Sequence, residues 1–164
     1  MNHYLFYAIS FQLMLVAWFD LKKKTISNYW PVLNLLTAIA VYLSLPQTFE
    51  FSWAIFLFPI GFIVIGFLLF LVGIMGAGDS KYLASLFLVI PVQYHLPFFE
   101  KLLIATILIG GILLTFKIIM NFSKLRAYMW AQYWKGLKET IRSKFSYAPV
   151  ILLAWIILGV QEWR

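Results

Sequence analysis

The 164-residue chain has no cysteine and very little charge, with six acidic and thirteen basic side chains. Without thiols it can hold neither a disulfide framework nor a zinc site with thiolate ligands. Charged residues make up 12% of the chain, about half the share usual in soluble domains. They are too few to cover a globule of this size, which excludes an ordinary soluble enzyme. Apolar residues fill the space instead: 63% of the chain is hydrophobic, 20% is aromatic, and the mean hydropathy is +0.90. Charge-free runs cover 1–19, 25–49, 51–78, 82–99, 102–116 and 145–161. A transmembrane helix needs about 20 apolar residues, with roughly 17–25 usual. The fifth run reaches that length if Lys117 snorkels and Ile118, Ile119 and Met120 extend the helix. The sequence therefore predicts an all-α, polytopic membrane protein with six transmembrane helices. No basic segment precedes the first apolar run and lysines follow it, so 1–19 reads as a retained span and not as a secretory signal peptide. Without repeats, low-complexity tracts or linkers, one integral-membrane domain over 1–164 is expected.

The basic residues orient the spans. Lys22, Lys23, Lys24, Lys81, Lys117, Lys124, Arg126, Lys135, Lys138, Arg142 and Lys144 fall on one side, against Lys101 and Arg164 on the other. The positive-inside rule places the odd-numbered loops in the cytoplasm and both termini outside. The formal charge of +7 then reflects topology and attraction to anionic lipid, and no nucleic-acid partner is implied. In 121–147, Phe122, Leu125, Met129, Tyr133, Leu137, Ile141 and Phe145 recur at three- or four-residue spacing among basic residues. That pattern predicts a basic amphipathic helix on the cytoplasmic surface between spans 5 and 6, interrupted at Gly136. It would serve as a membrane anchor or as a flap over a site at that face. Pro91 in span 4 predicts a kink or an early end, with the span closing near Pro97. Trp18, Trp30, Trp53, Trp155 and Trp163 lie near expected span ends as interfacial anchors. His3 and His95 are expected at the outer interface. Gly61, Gly66, Gly73, Gly110 and Gly111 are expected to permit close helix packing.

With so few acids, each can be placed. Glu50, Glu100 and Glu162 fall outside, and Glu139 falls in the amphipathic segment. Asp20 closes span 1 and Asp79 lies between spans 3 and 4, so span parity puts both at the cytoplasmic face. Taken singly, an aspartate beside lysines is an ordinary interfacial charge. Two aspartates at one level make a candidate acid–base dyad, because repulsion and desolvation raise one pKa and keep one carboxyl protonated. The ionised member can take a proton from water while the neutral one donates to a carbonyl oxygen. Gly76 and Gly78 flank Asp79 in a loop that needs close backbone approach, an arrangement that would let a substrate strand lie against it.

Gly76-Ala77-Gly78-Asp79-Ser80-Lys81 resembles the GxGDxK signature of type IV prepilin peptidases, a branch of the GxGD intramembrane aspartyl proteases. Asp20, the lysines 22–24, and Ile26-Ser27-Asn28 are similar to that family's first aspartate, basic residues and Ile-Pro-Asn. Ser146-Tyr147-Ala148-Pro149 resembles its Pro-Tyr-Ala-Pro element. Ser27 and Ser146 replace prolines at turns or helix starts, where serine is also accommodated. The resemblance covers essentially the whole chain. It implies that Asp20 and Asp79 are the catalytic pair and that Gly76 and Gly78 shape the loop. Lys81 and Asn28 match motif positions that hold the loop or bind substrate. It also implies a prepilin-like protein substrate, with a short basic leader ending in glycine before an apolar helix, cut at the cytoplasmic face of a bacterial inner membrane. Bifunctional members carry paired CxxC motifs and also methylate the new N-terminus. This cysteine-free chain, with only 22–28 between its first two spans, resembles peptidase-only members. No metal or other cofactor is implied, and the oligomeric state is left open. Two other classes stay in view: a small transporter, which would put ionisable groups near mid-bilayer, and a non-catalytic subunit of a pilus or secretion assembly.

Overall fold

The computed structural model describes residues 3–44, 49, 52–72, 75–134, 136 and 146–162. Its elements are α1 (His3–Lys23), α2 (Tyr29–Ser44), a 3-10 turn (Trp53–Phe56) running into α3 (Leu57–Val72), and α4 (Ala77–Val89). A second 3-10 turn (Val92–Tyr94) leads into α5 (His95–Met120), followed by α6 (Phe122–Trp130) and α7 (Ala148–Glu162). No strand occurs among the described residues.

The fold is all-helical as expected, but the helices do not divide into six full spans. Three stretches are long and apolar enough to cross a membrane: His3–Lys23, Trp53–Leu71 and Val92–Met120. The apolar helices α2 and α7 are shorter. The 13 residues of α4 make a rod about 20 Å long, against about 30 Å of hydrocarbon. Pro91 is the reason. Ile90, the residue before it, is driven to an extended conformation (φ −84°, ψ 132°) and ends α4. The chain turns at once, so Pro97 falls in the first turn of α5 and not at the end of span 4. Glu100 and Lys101, expected in a loop, sit on α5.

The helices pack in two groups of three. α7 lies against α1 and α5, and α4 lies against α2 and α3. The central members are accordingly the most buried for their length, with nine of the 13 residues of α4 and seven of the 15 of α7 inside, against seven of 21 in α1. The groups meet where Phe87 of α4 packs on Phe98 of α5, ring centroids 5.3 Å apart. They also meet in a polar relay. Gln12 Nε2 donates to Asn34 Oδ1, Asn34 Nδ2 donates to Ser85 Oγ at 3.0 Å, and Ser85 donates to the Tyr82 carbonyl at 2.9 Å. Polar groups sheltered from water must pair in this way or cost several kcal/mol each. The outside is apolar instead: among the described residues of α3 only Pro59 and Gly66 are buried, and Ile63, Ile65, Ile107, Leu108 and Ile112 are all exposed. This inverted pattern belongs to a protein bathed in lipid.

Several expectations are corrected. Trp155 is not an interfacial anchor but core: it is fully buried, stacks on Phe6 at 5.2 Å and donates Nε1–H to Ser10 Oγ at 3.0 Å. His95 is likewise interior, bonded through Nε2 to the Ile90 carbonyl at 2.9 Å and set edge-on against the stacked rings of Phe58 and Phe87. It closes the turn that Pro91 opens. Of the glycines, Gly66 does allow close packing, since a Cβ there would collide with Ser80, whereas Gly61, Gly110 and Gly111 face open space. The amphipathic segment forms a helix to Trp130 and is helical again at Trp134 and Gly136. The break comes at the turn through Gln132, whose φ of 52° is left-handed, and not first at Gly136. Residues 137–145, including Lys138, Glu139, Arg142 and Lys144, lie outside the described residues, as do Glu50, Gly73, Lys135, Trp163 and Arg164.

Candidate active site

The two aspartates expected to act together come from different groups of helices and meet at the basic end of the bundle. Asp20 lies in the last turn of α1. That helix ends when Lys24 turns left-handed (φ 53°) and its N–H bonds back to the Asp20 carbonyl at 2.7 Å. The Ser146 hydroxyl donates to the same carbonyl at 3.2 Å. Asp20's carboxylate, almost wholly buried, accepts the Ala148 amide through Oδ2 at 3.1 Å, and the Tyr147 amide also points to it. These amides begin α7, so Asp20 caps from another helix donors that α7 cannot satisfy itself. Pro149, with no N–H, fits the same first turn.

Asp79 occupies the third position of α4 and caps its own helix, its Oδ2 accepting the Gly76 amide at 3.2 Å. Burial, and then the charge of Asp20 beside it, push Asp79 up to about 6. The two carboxylates are thus electrostatically joined, and Tyr147 lies within reach of the Asp79 charge as well.

The glycines hold the two loops together. A Cβ on Gly78 would stand 2.6 Å from the Ile26 carbonyl oxygen, and one on Gly76 would stand 2.9 Å from Asp79 Oδ2. The close approach at Gly78 is therefore made by the chain's own backbone, occupying the face expected to receive a substrate strand. Gly76 remains exposed. Lys81, on α4, and Asn28, in the turn before α2, are also exposed. An apolar groove of about 470 Å³ runs between α3 and α5, from Leu57 and Phe58 to Met75, Thr106 and Tyr147. Among the described residues, no three His, Asp or Glu side chains gather as a metal site would require.

A sequence model of the type IV leader peptidase family matches residues 7–161, nearly the whole chain. The chain belongs to the type IV leader peptidase family. As a leader peptidase-like protease it acts on protein, and its apolar helices place it in lipid. Neither curated proteins nor solved structures yield a match. In this leader peptidase the parts that sequence reasoning missed are the backbone N–H groups of Tyr147 and Ala148, the Ile26 carbonyl and the Thr106 hydroxyl. Main-chain groups carry no letter in a sequence. The Ser146-Tyr147-Ala148-Pro149 resemblance marks this segment without showing that it bonds to Asp20.

Proposed function

We propose that this leader peptidase is an aspartyl endopeptidase that removes the short basic leader of prepilin-like precursors at the cytoplasmic face of the bacterial inner membrane. The observation that supports this best is the coupling of Asp20 and Asp79, from sequence positions far apart, in one buried pair. In this reading Asp79 holds the shared proton. Asp20, oriented by the Ala148 amide, takes a proton from water as the water oxygen attacks the scissile carbonyl carbon, and Asp79 gives its proton to the carbonyl oxygen. The gem-diol intermediate collapses as the amide nitrogen leaves with a proton returned from Asp20 while Asp79 takes back a proton from a gem-diol hydroxyl, so the pair ends as it began. No cofactor enters.

The basic end, with Lys22, Lys23, Lys24, Lys81 and Lys117, faces the cytoplasm, and both termini lie outside. The substrate's apolar helix lies along the groove between α3 and α5, whose end at Met75 and Tyr147 delivers the preceding extended segment to the dyad. Gly76, lacking a side chain, leaves Asp79 Oδ2 uncovered on that side, and a glycine before the cut lets the substrate backbone come equally close. Lys81 and Asn28, both exposed, are placed to meet the leader or the lipid headgroups. The new N-terminus is released unmethylated, because the chain lacks the cysteine pairs that accompany methylation. Gln12 and Asn34 bond one another and Ser85, which counts against a transport path through mid-bundle.

The test is a series of precursors differing only in the residue before the cut, incubated with purified protein and analysed by mass spectrometry. Glycine should be processed fastest, the product should carry no added methyl group, and the cut should precede the apolar helix. Equal rates for glycine, alanine and leucine, or a cut inside the helix, would overturn the substrate assignment.

A further inference from the structure

We propose that Thr106 and Tyr147 form a positioning pair through which α5 fixes the geometry of Asp20. The inference rests on the aspartyl reading above and extends it to two residues that the dyad chemistry does not itself use. Tyr147 immediately precedes α7, and its carbonyl accepts the amides of Val150 and Ile151. Its own amide and that of Ala148 face the Asp20 carboxylate. Wherever residue 147 sits, the donors that orient Asp20 sit too.

The phenol decides where that is. Thr106 Oγ1 lies 2.6 Å from the Leu102 carbonyl and 2.8 Å from Tyr147 Oη. A carbonyl can only accept, so the threonine hydroxyl donates to Leu102 and the tyrosine hydroxyl donates to the threonine. The chain of bonds has one direction, and each hydroxyl donates once within it. It starts from the fixed backbone of α5 and ends on the residue whose amide meets Asp20. The phenol also stands within reach of the Asp79 charge, so the pair borders both carboxylates.

Thr106→Val and Tyr147→Phe each remove one hydroxyl and keep nearly the same shape in the apolar groove. Residues 147–148 then drift and Asp20 spends less time in the productive orientation. Binding of the precursor's helix is little changed. In the purified full-length protein, kcat should fall about fivefold in each variant with KM within about twofold, the scale of one lost hydrogen bond. The double variant should be no worse than either single one, because both break the same bond. Thr106→Ser, which restores the hydroxyl, should recover most of the rate. A readout independent of cleavage is hydrogen exchange at the Tyr147 and Ala148 amides, which should quicken about fivefold in Thr106→Val while the interior of α7 is unchanged.

Wild-type kcat and unchanged exchange in Thr106→Val would overturn the proposal. So would additive losses in the double variant, or a loss that serine does not rescue. A wild-type protein that cleaves no precursor would instead overturn the aspartyl reading, and exchange at the two amides would still decide whether the pair holds the loop.

Discussion

Replacing Gly78 by alanine sets a methyl carbon 2.6 Å from the Ile26 carbonyl oxygen. The neighbour is backbone, in the short turn between α1 and α2, so no side chain can rotate away. To reach even the tight 3.0–3.4 Å range, the two loops must part by about 0.4–0.8 Å. Overpacking of this kind costs about 1–3 kcal/mol. Alanine's better helix propensity returns up to about 1 kcal/mol, less in a first turn. The net expectation is a loss of about 1–2 kcal/mol. Catalysis should suffer more, because Asp79 is the next residue and a misplacement of about 1 Å can cost about 100-fold. A ten- to hundredfold fall in kcat is expected. Gly110→Ala is the matched control: a Cβ there meets nothing within 4 Å, so it should be neutral or slightly stabilising and fully active. Thermal unfolding and precursor cleavage in one detergent measure both effects. If Gly78→Ala proved as stable and as active as Gly110→Ala, the close contact between the two aspartate-bearing loops would be refuted.

Further expectations concern protons and topology. Asp79 stands at about 6 when folded against an ordinary 3.8, so the folded state holds that proton more tightly than the unfolded chain. Its contribution to stability is fully present below about pH 3.8 and is lost as pH rises through about 6. Melting curves of Asp79→Asn should lack that fall. Cleavage should decline as pH rises above about 6, where the dyad loses its shared proton, and a rate that kept climbing through pH 8 would contradict the assignment. The cysteine-free sequence suits thiol labelling. Thr25→Cys should react only from the cytoplasmic side and Gln93→Cys, in the turn before α5, only from outside. Labelling of both from one side would reverse the topology.

The membrane class, the helical fold and the meeting of Asp20 with Asp79 were legible because each depends on coarse signals: charge-free runs, span parity and motif order. Residues such as His95 and Trp155 were not. Both are amphipathic side chains that belong equally at an interface or in a core with one bonding partner, and the Ile90 carbonyl and Ser10 hydroxyl that receive them are set by tertiary packing. Six full-length spans are not confirmed, α4 ending short at Pro91, because a charge-free run records composition, while the proline restricts the backbone within it. Gly78 was rightly marked as a point of close approach. The partner was misjudged, since a glycine shows that something comes near and not what it is. The hold of Tyr147 and Ala148 on Asp20 was invisible for the same reason that most capping between distant helices is: the donors are main-chain groups.

The central claim, that Asp20 and Asp79 together perform the hydrolysis, is tested most directly by the intact mass of a prepilin-like precursor after incubation with wild-type, Asp20→Asn and Asp79→Asn protein. Both amides keep a carbonyl oxygen that can accept the capping N–H bonds, from Ala148 in one case and Gly76 in the other, so both variants should insert and melt as folded proteins. The wild type should release the leader by cutting before the apolar helix, and neither variant should release any. A folded Asp20→Asn or Asp79→Asn protein that cleaved the precursor at near the wild-type rate would contradict the claim.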